Sequence, residues 1–80
     1  MEEEKETEDI ELIKQKVQTH FEKNFLLHCS FKNGMWKNGK ILEVSADFFI
    51  LDEMFDGEMA VFFKELREVS TYNKFGGRKK

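Results

Sequence analysis

The chain reads as a mainly β protein: an N-terminal α-helix followed by a five-stranded, strongly bent antiparallel sheet that forms a small barrel. Three observations predict this. Asn33-Gly34 lies between apolar runs, which is the strongest short-range hairpin signal. Gly39 then falls inside a strand pattern, where a glycine marks a bulge or a tight bend. Residues 41–51 (ILEVSADFFIL) are dense in β-branched and aromatic side chains, and further short apolar runs follow between turn residues.

Each element can be justified in order. Residues 1–8 (MEEEKETE) are a charge run without an apolar period and read as an acidic, disordered tail. From residue 9 or 10 to about 24, Ile10, Ile13, Val17, Phe21 and Asn24-Phe25 recur at helical steps, and Leu12 widens the stripe. Thr7 or Asp9 is placed to cap this helix, and the acids before Leu12 complement its dipole. The lysines of its other face read as solvated. Residues 26–31 alternate as a first strand, with Leu27, Cys29 and Phe31 opposite His28 and Ser30. Lys32-Asn33-Gly34 turns the chain into a second, bent strand over 35–44. Ser45-Ala46-Asp47 makes a corner before a third strand from 48 to 52 or 53. Residues 54–58 form a loop on Asp56-Gly57, and 59–63 a fourth strand. Residues 64–66 suit one tight helical turn, and 67–72 a fifth strand. Residues 73–80 (NKFGGRKK) read as a flexible basic tail. The domain proper is therefore 9–72.

Composition narrows the function classes. Eighty residues make one domain near the lower limit of independent folding, so assembly with further copies would stabilise it. Nine phenylalanines, one tryptophan and one tyrosine supply a core, or a core plus an interface. The fourth strand is neutral and Phe-rich, with no lysine until Lys64, and such an edge invites pairing with another chain. The single Cys29 has no internal disulfide partner, which suits a reducing cytoplasm, and it reads as a small packed hydrophobe. No apolar run spans a membrane, and the acidic start is wrong for a signal peptide. The net charge of −3 is an uneven average. Residues 1–11 carry a balance of −6, and the basic end supplies the whole excess of the remainder, leaving a nearly neutral body. That is not the footprint of a strongly electrostatic duplex binder. No carboxylate pair is tied to a base, no Ser-His-Asp order appears, and no glycine loop cradles a phosphate, so no enzyme, metal or cofactor is expected. Asp52, Glu53, Asp56 and Glu58 lack EF-hand spacing and read as solvated turn residues. His28 reads as a surface strand residue without a partner, and Trp36 as a packing residue.

Asn33-Gly34, Gly39, Asp47 and the apolar strand FFIL resemble the first motif of the Sm-like superfamily, which includes the bacterial Hfq branch and the archaeal Sm-like proteins. Residues 61–69 (VFFKELREV) are similar to the Hfq segment VYKHAISTV, with Lys64 at its histidine. The likeness covers about residues 10–72 and is nearest to the archaeal type. It implies a helix before five bent strands, and a homo-oligomeric ring of six or seven copies in which the fourth strand of one subunit pairs with the fifth of the next. It also implies single-stranded RNA bound by aromatic stacking and local basic contacts.

On that resemblance Phe48 or Phe49 is the stacker, with Phe49 preferred by counting from Asp47, against both packing in the core or an interface. Lys64 is the phosphate contact, and Asp47 orients its loop. Asn33 and Lys37, with Trp36 and Asn38, form a candidate second polar-aromatic surface. The chain departs from the pattern in four places. The step from Gly39 to Asp47 is longer, apolar residues replace the Asn that follows the motif Asp, the Arg-Gly of the second motif is absent, and the Lys-His of Hfq becomes Phe63-Lys64. Those departures motivate the other reading: a small barrel used as a protein-interaction or scaffold module with little RNA affinity.

Overall fold

The helix begins where a carboxylate is available to cap it. Asp9 is the N-cap of α1 (Ile10–Lys23), and its side chain accepts the Glu11 N–H at 3.3 Å. The helix ends at Asn24, which takes the left-handed conformation (φ 62°) that asparagine tolerates, and the Phe25 N–H closes back on the His20 carbonyl at 3.0 Å. The computed structural model describes residues 8–72. After α1 come β1 (Leu26–Phe31), β2 (Trp36–Val44), β3 (Phe48–Glu53), β4 (Gly57–Phe62), a 3₁₀ turn (Phe63–Glu65) and β5 (Leu66–Thr71). All pairs are antiparallel, in the order β4-β3-β2-β1-β5. The fold is thus the helix plus five-stranded sheet that the pattern predicts. The readings of residues 1–7 and 73–80 as tails lie outside the described residues.

The buried stripe of α1 is Ile13, Val17 and His20, not the expected Phe21, which stays exposed with Ile10 and Phe25. His20 replaces an apolar residue because both ring nitrogens are satisfied. Nδ1–H donates to the Lys16 carbonyl at 2.7 Å, so Nε2 accepts from the Thr71 hydroxyl at 2.8 Å. The histidine thereby ties α1 to β5.

The β1–β2 turn forms on Asn33-Gly34 as expected. Gly34 adopts φ 92°, its N–H donates to the Phe31 carbonyl at 2.9 Å, and Asn33 Oδ1 accepts the Met35 N–H at 2.9 Å. The bend expected at Gly39 lies elsewhere. The register of β2 on β3 shifts between Ile41 and Glu43, which leaves Leu42 as the extra residue of a bulge. Gly39 pairs in regular register with Glu53, and its lack of a side chain serves a close approach. A Cβ there would stand 2.8 Å from the Asp52 carbonyl carbon and 2.9 Å from Glu53 Cα. The fourth strand begins two residues earlier than the pattern suggests, because Asp52 pairs with Glu58 and Glu53 with Gly57.

One face of the curled sheet carries Leu27, Cys29, Ile41, Phe49, Leu51, Val61, Leu66 and Val69 into a single core, which α1 closes with Ile13 and Val17 and the 3₁₀ turn with Phe63. Glu8, assigned by sequence to the acidic tail, belongs to the fold. Its N–H donates to the Arg67 carbonyl at 2.8 Å. Among the described residues no helix is long and apolar enough to cross a membrane.

Candidate functional site

The 3₁₀ turn that joins β4 to β5 is pinned from two sides, and this positions Lys64. The Phe63 N–H donates to the Asp47 carbonyl at 3.0 Å, holding the turn to the β2–β3 corner. The Lys32 N–H donates to the Glu65 carbonyl at 2.9 Å, holding it to the β1–β2 turn. Three loops distant in sequence therefore meet, and Lys64 stands on the ridge between two hollows. One, of about 360 Å³, is lined by Ile10, Lys14, Asp47, Phe62 and Phe63 with Lys64. The other, of about 400 Å³, is lined by Phe31, Lys32, Asn33 and Glu65 with Lys64.

The first hollow has an aromatic wall and two cations. Phe62 is 41% exposed, and the Lys14 ammonium lies 5.5 Å from the centre of the Phe63 ring, within cation–π range. Across both hollows three lysines face two acids, Asp47 and Glu65, so the balance is mildly basic. A planar ring resting on Phe62 with an anionic group near Lys14 and Lys64 matches this surface chemically.

The expected site residues divide. Asn33 and Lys64 come together at the second hollow, although Asn33 spends its Oδ1 on its own turn. Phe49 does not reach the surface. It is 0% exposed and packs against Phe63, with ring centroids 5.5 Å apart. The preference for Phe49 over Phe48 is therefore reversed. Successive strand residues point to opposite faces, and the one-residue ambiguity at the corner decides which ring is inside. Phe48 lies on the outer face, directly opposite Phe62. Lys37 is drawn elsewhere, to the β3–β4 turn, where its ammonium meets the Asp56 carboxylate at 3.1 Å.

Trp36 is not the packing residue expected. It is 58% exposed and leans on His28 at 6.0 Å. His28 has a partner after all, Asn38 Oδ1, 2.5 Å from its Nδ1. Of the acids of the β3–β4 turn, Glu53 is buried rather than solvated. Its Oε1 accepts the N–H groups of Asp56 at 2.8 Å and Phe55 at 2.9 Å, and these bonds hold its carboxyl below the usual carboxylate value. Cys29 packs in the core as expected, and burial pushes its thiol up to about 12. Lys14 and the surface role of Phe62 were missed by sequence reasoning. Ile10 and Lys14 stand one turn apart on the same helical face, which was the available signal for Lys14.

No family model matches the chain, and no curated protein matches it.

Proposed function

We propose that the chain is an Sm-like subunit that assembles edge to edge into a homo-oligomeric ring and binds single-stranded RNA at the surface around Lys64. The observation that carries this reading is the strand order. It leaves β4 and β5 as the two edges of the sheet, the same two strands that the resemblance pairs between neighbouring subunits. The Asn33-Gly34 turn and the close approach at Gly39 support it, since their five-residue step matches the motif, whereas the step from Gly39 to the Asp47 corner is longer. In this reading Phe62 offers the stacking face, and Lys14 and Lys64 take the flanking phosphates. Repetition around a ring turns a weak local site into useful affinity.

The test is binding of a short oligoribonucleotide to the wild type, Phe62→Ala and Lys64→Ala, each checked for native folding. Loss of affinity in both variants supports the reading. Unchanged affinity in both overturns it.

One observation favours a second reading, an interaction module with little affinity for RNA. Phe55 is 88% exposed at the tip of the β3–β4 turn beside the exposed Met54, and Met35 and Trp36 are exposed where β2 begins. Weak, salt-independent RNA binding together with a monomeric mass would select that reading.

A further inference from the structure

The two sheet edges are not equally free. Neighbouring residues of a strand turn their backbone groups alternately to one side and the other. The Tyr72 N–H bonds the Leu26 carbonyl, so Glu68, Ser70 and Tyr72 face β1, and Arg67, Val69 and Thr71 face outward. Three of those outward groups are already taken. The Arg67 carbonyl accepts the Glu8 N–H at 2.8 Å, and the Val69 N–H donates to Glu8 Oε1 at 3.3 Å. The Val69 carbonyl accepts Lys16 Nζ at 3.4 Å, and Lys16 in turn forms an ion pair with the other Glu8 oxygen.

On β4 the opposite holds. The Phe63 N–H bonds toward β3 at the Asp47 carbonyl, so by the same alternation Glu58, Ala60 and Phe62 point their backbone groups away from the sheet. Among the described residues, no backbone bond outside the sheet ladders covers those three. Among the described residues, one edge is open and the other is plugged by a single residue ahead of α1, held by a lysine of that helix.

We propose that Glu8 and Lys16 form a built-in plug on the β5 edge, and that the β4 strand of a second copy must displace Glu8 to pair there. The inference rests on the edge-to-edge assembly proposed above and adds a regulation to it. Glu8 offers β5 one donor and one acceptor, as the first residue of an incoming strand would. A second copy replaces these with a full ladder, so the plug delays assembly until concentration favours the longer pairing. Anything that draws Glu8 or Lys16 away lowers the concentration at which rings form.

The test compares mass against concentration, by sedimentation, for the full chain, Glu8→Ala, Glu8→Gln, Lys16→Ala and Ala60→Pro. Amide exchange of Val69 is followed at concentrations where the wild type is monomeric. Glu8→Ala is expected to bring the half-assembly concentration down roughly tenfold, the order expected from losing one hydrogen bond to a charged acceptor on the competing side. Lys16→Ala should move it in the same direction, and Glu8→Gln by less, because an acceptor for Val69 remains. Val69 should exchange faster in Glu8→Ala. Ala60→Pro removes an outward donor of β4 without touching the β3 ladder, and should abolish assembly. If Ala60→Pro abolishes assembly while Glu8→Ala assembles at the wild-type concentration, the plug is wrong and the ring stands. If Ala60→Pro assembles normally, or no variant assembles at any concentration, the edge-pairing reading fails and the plug fails with it.

Discussion

Phe48 and Phe62 face each other directly across β3 and β4, with ring centroids 5.4 Å apart, on the outside of the sheet. Phe49, the next residue of β3, and Phe63, the first residue of the 3₁₀ turn, meet at 5.5 Å on the inside. The same side-chain type, repeated in adjacent positions, thus serves two environments. The first prediction separates them. Phe49→Ala empties a sealed core position and is expected to cost about 3–5 kcal/mol, enough to threaten a domain of this size. Phe62→Ala loses a half-exposed ring and one aromatic pair, and should cost about 1 kcal/mol. Urea unfolding of both variants checks this. A larger loss for Phe62→Ala than for Phe49→Ala would contradict the burial described.

The proposed RNA surface gives a second prediction with its own readout. Stacking of a base on an aromatic ring is worth about 1–3 kcal/mol, so Phe62→Ala should weaken oligoribonucleotide binding by about tenfold or more. Lys64→Ala should act differently. Each lost phosphate contact on a single strand reduces the slope of log affinity against log salt by about 0.7. Titrations at several salt concentrations distinguish a lost ring from a lost cation.

Gly39 and Gly34 are glycines for different reasons, and alanine substitution should reveal it. At Gly39 the added methyl collides with the Asp52 peptide, and both strands must shift to admit it. The expected cost is about 3 kcal/mol, as for other overpacked sites. At Gly34 nothing lies within 4 Å, but φ is 92°. The cost there is only that of a strained turn, about 1–2 kcal/mol. Equal losses at the two positions would show that space, rather than backbone conformation, had been misjudged at one of them.

The strands were legible because their apolar alternation and turn residues agree, most plainly at His28-Cys29 and at Asn33-Gly34. What remained hidden depends on contacts between distant residues. Gly39 looked like a bend because a carbonyl from β3 cannot be seen from β2. Phe21 looked buried and His20 did not, since Thr71 supplies the bond that makes a buried imidazole tolerable. The choice between Phe48 and Phe49 turned on a single residue at the Ser45-Ala46-Asp47 corner, and period-two alternation converts that ambiguity into opposite faces. Glu8 looked like more of the acidic run until its backbone was found on β5.

That Thr71 bond is itself testable. Thr71→Val keeps the shape and removes the hydroxyl, leaving Nε2 of the buried His20 without a donor. The expected loss is about 1–2 kcal/mol, the usual cost of an orphaned buried polar group. Thr71→Ser, which keeps the hydroxyl, should recover most of it. Thermal unfolding of the two variants decides between lost hydrogen bond and lost methyl.

Glu53 couples the β3–β4 turn to pH. Backbone N–H groups from Asp56 and Phe55 favour its ionised form, so its folded pKa lies below the unfolded value of 4.5. A depressed carboxyl pKa contributes stability that is present above the unfolded value and lost as pH falls through the folded one. The wild type should therefore lose stability as pH falls below the unfolded value of 4.5, and part of that loss should be missing in Glu53→Gln, which has no charge to neutralise. Amide exchange at Phe55 and Asp56 gives a local readout of the same event, since those two N–H groups lose their ionised acceptor. In the wild type their exchange, corrected for its intrinsic pH dependence, should accelerate on acidification. In Glu53→Gln, which keeps an uncharged acceptor, it should change little with pH. If the two proteins lose stability in parallel, the turn is held by its backbone pairing at Gly57 and not by the Glu53 carboxylate.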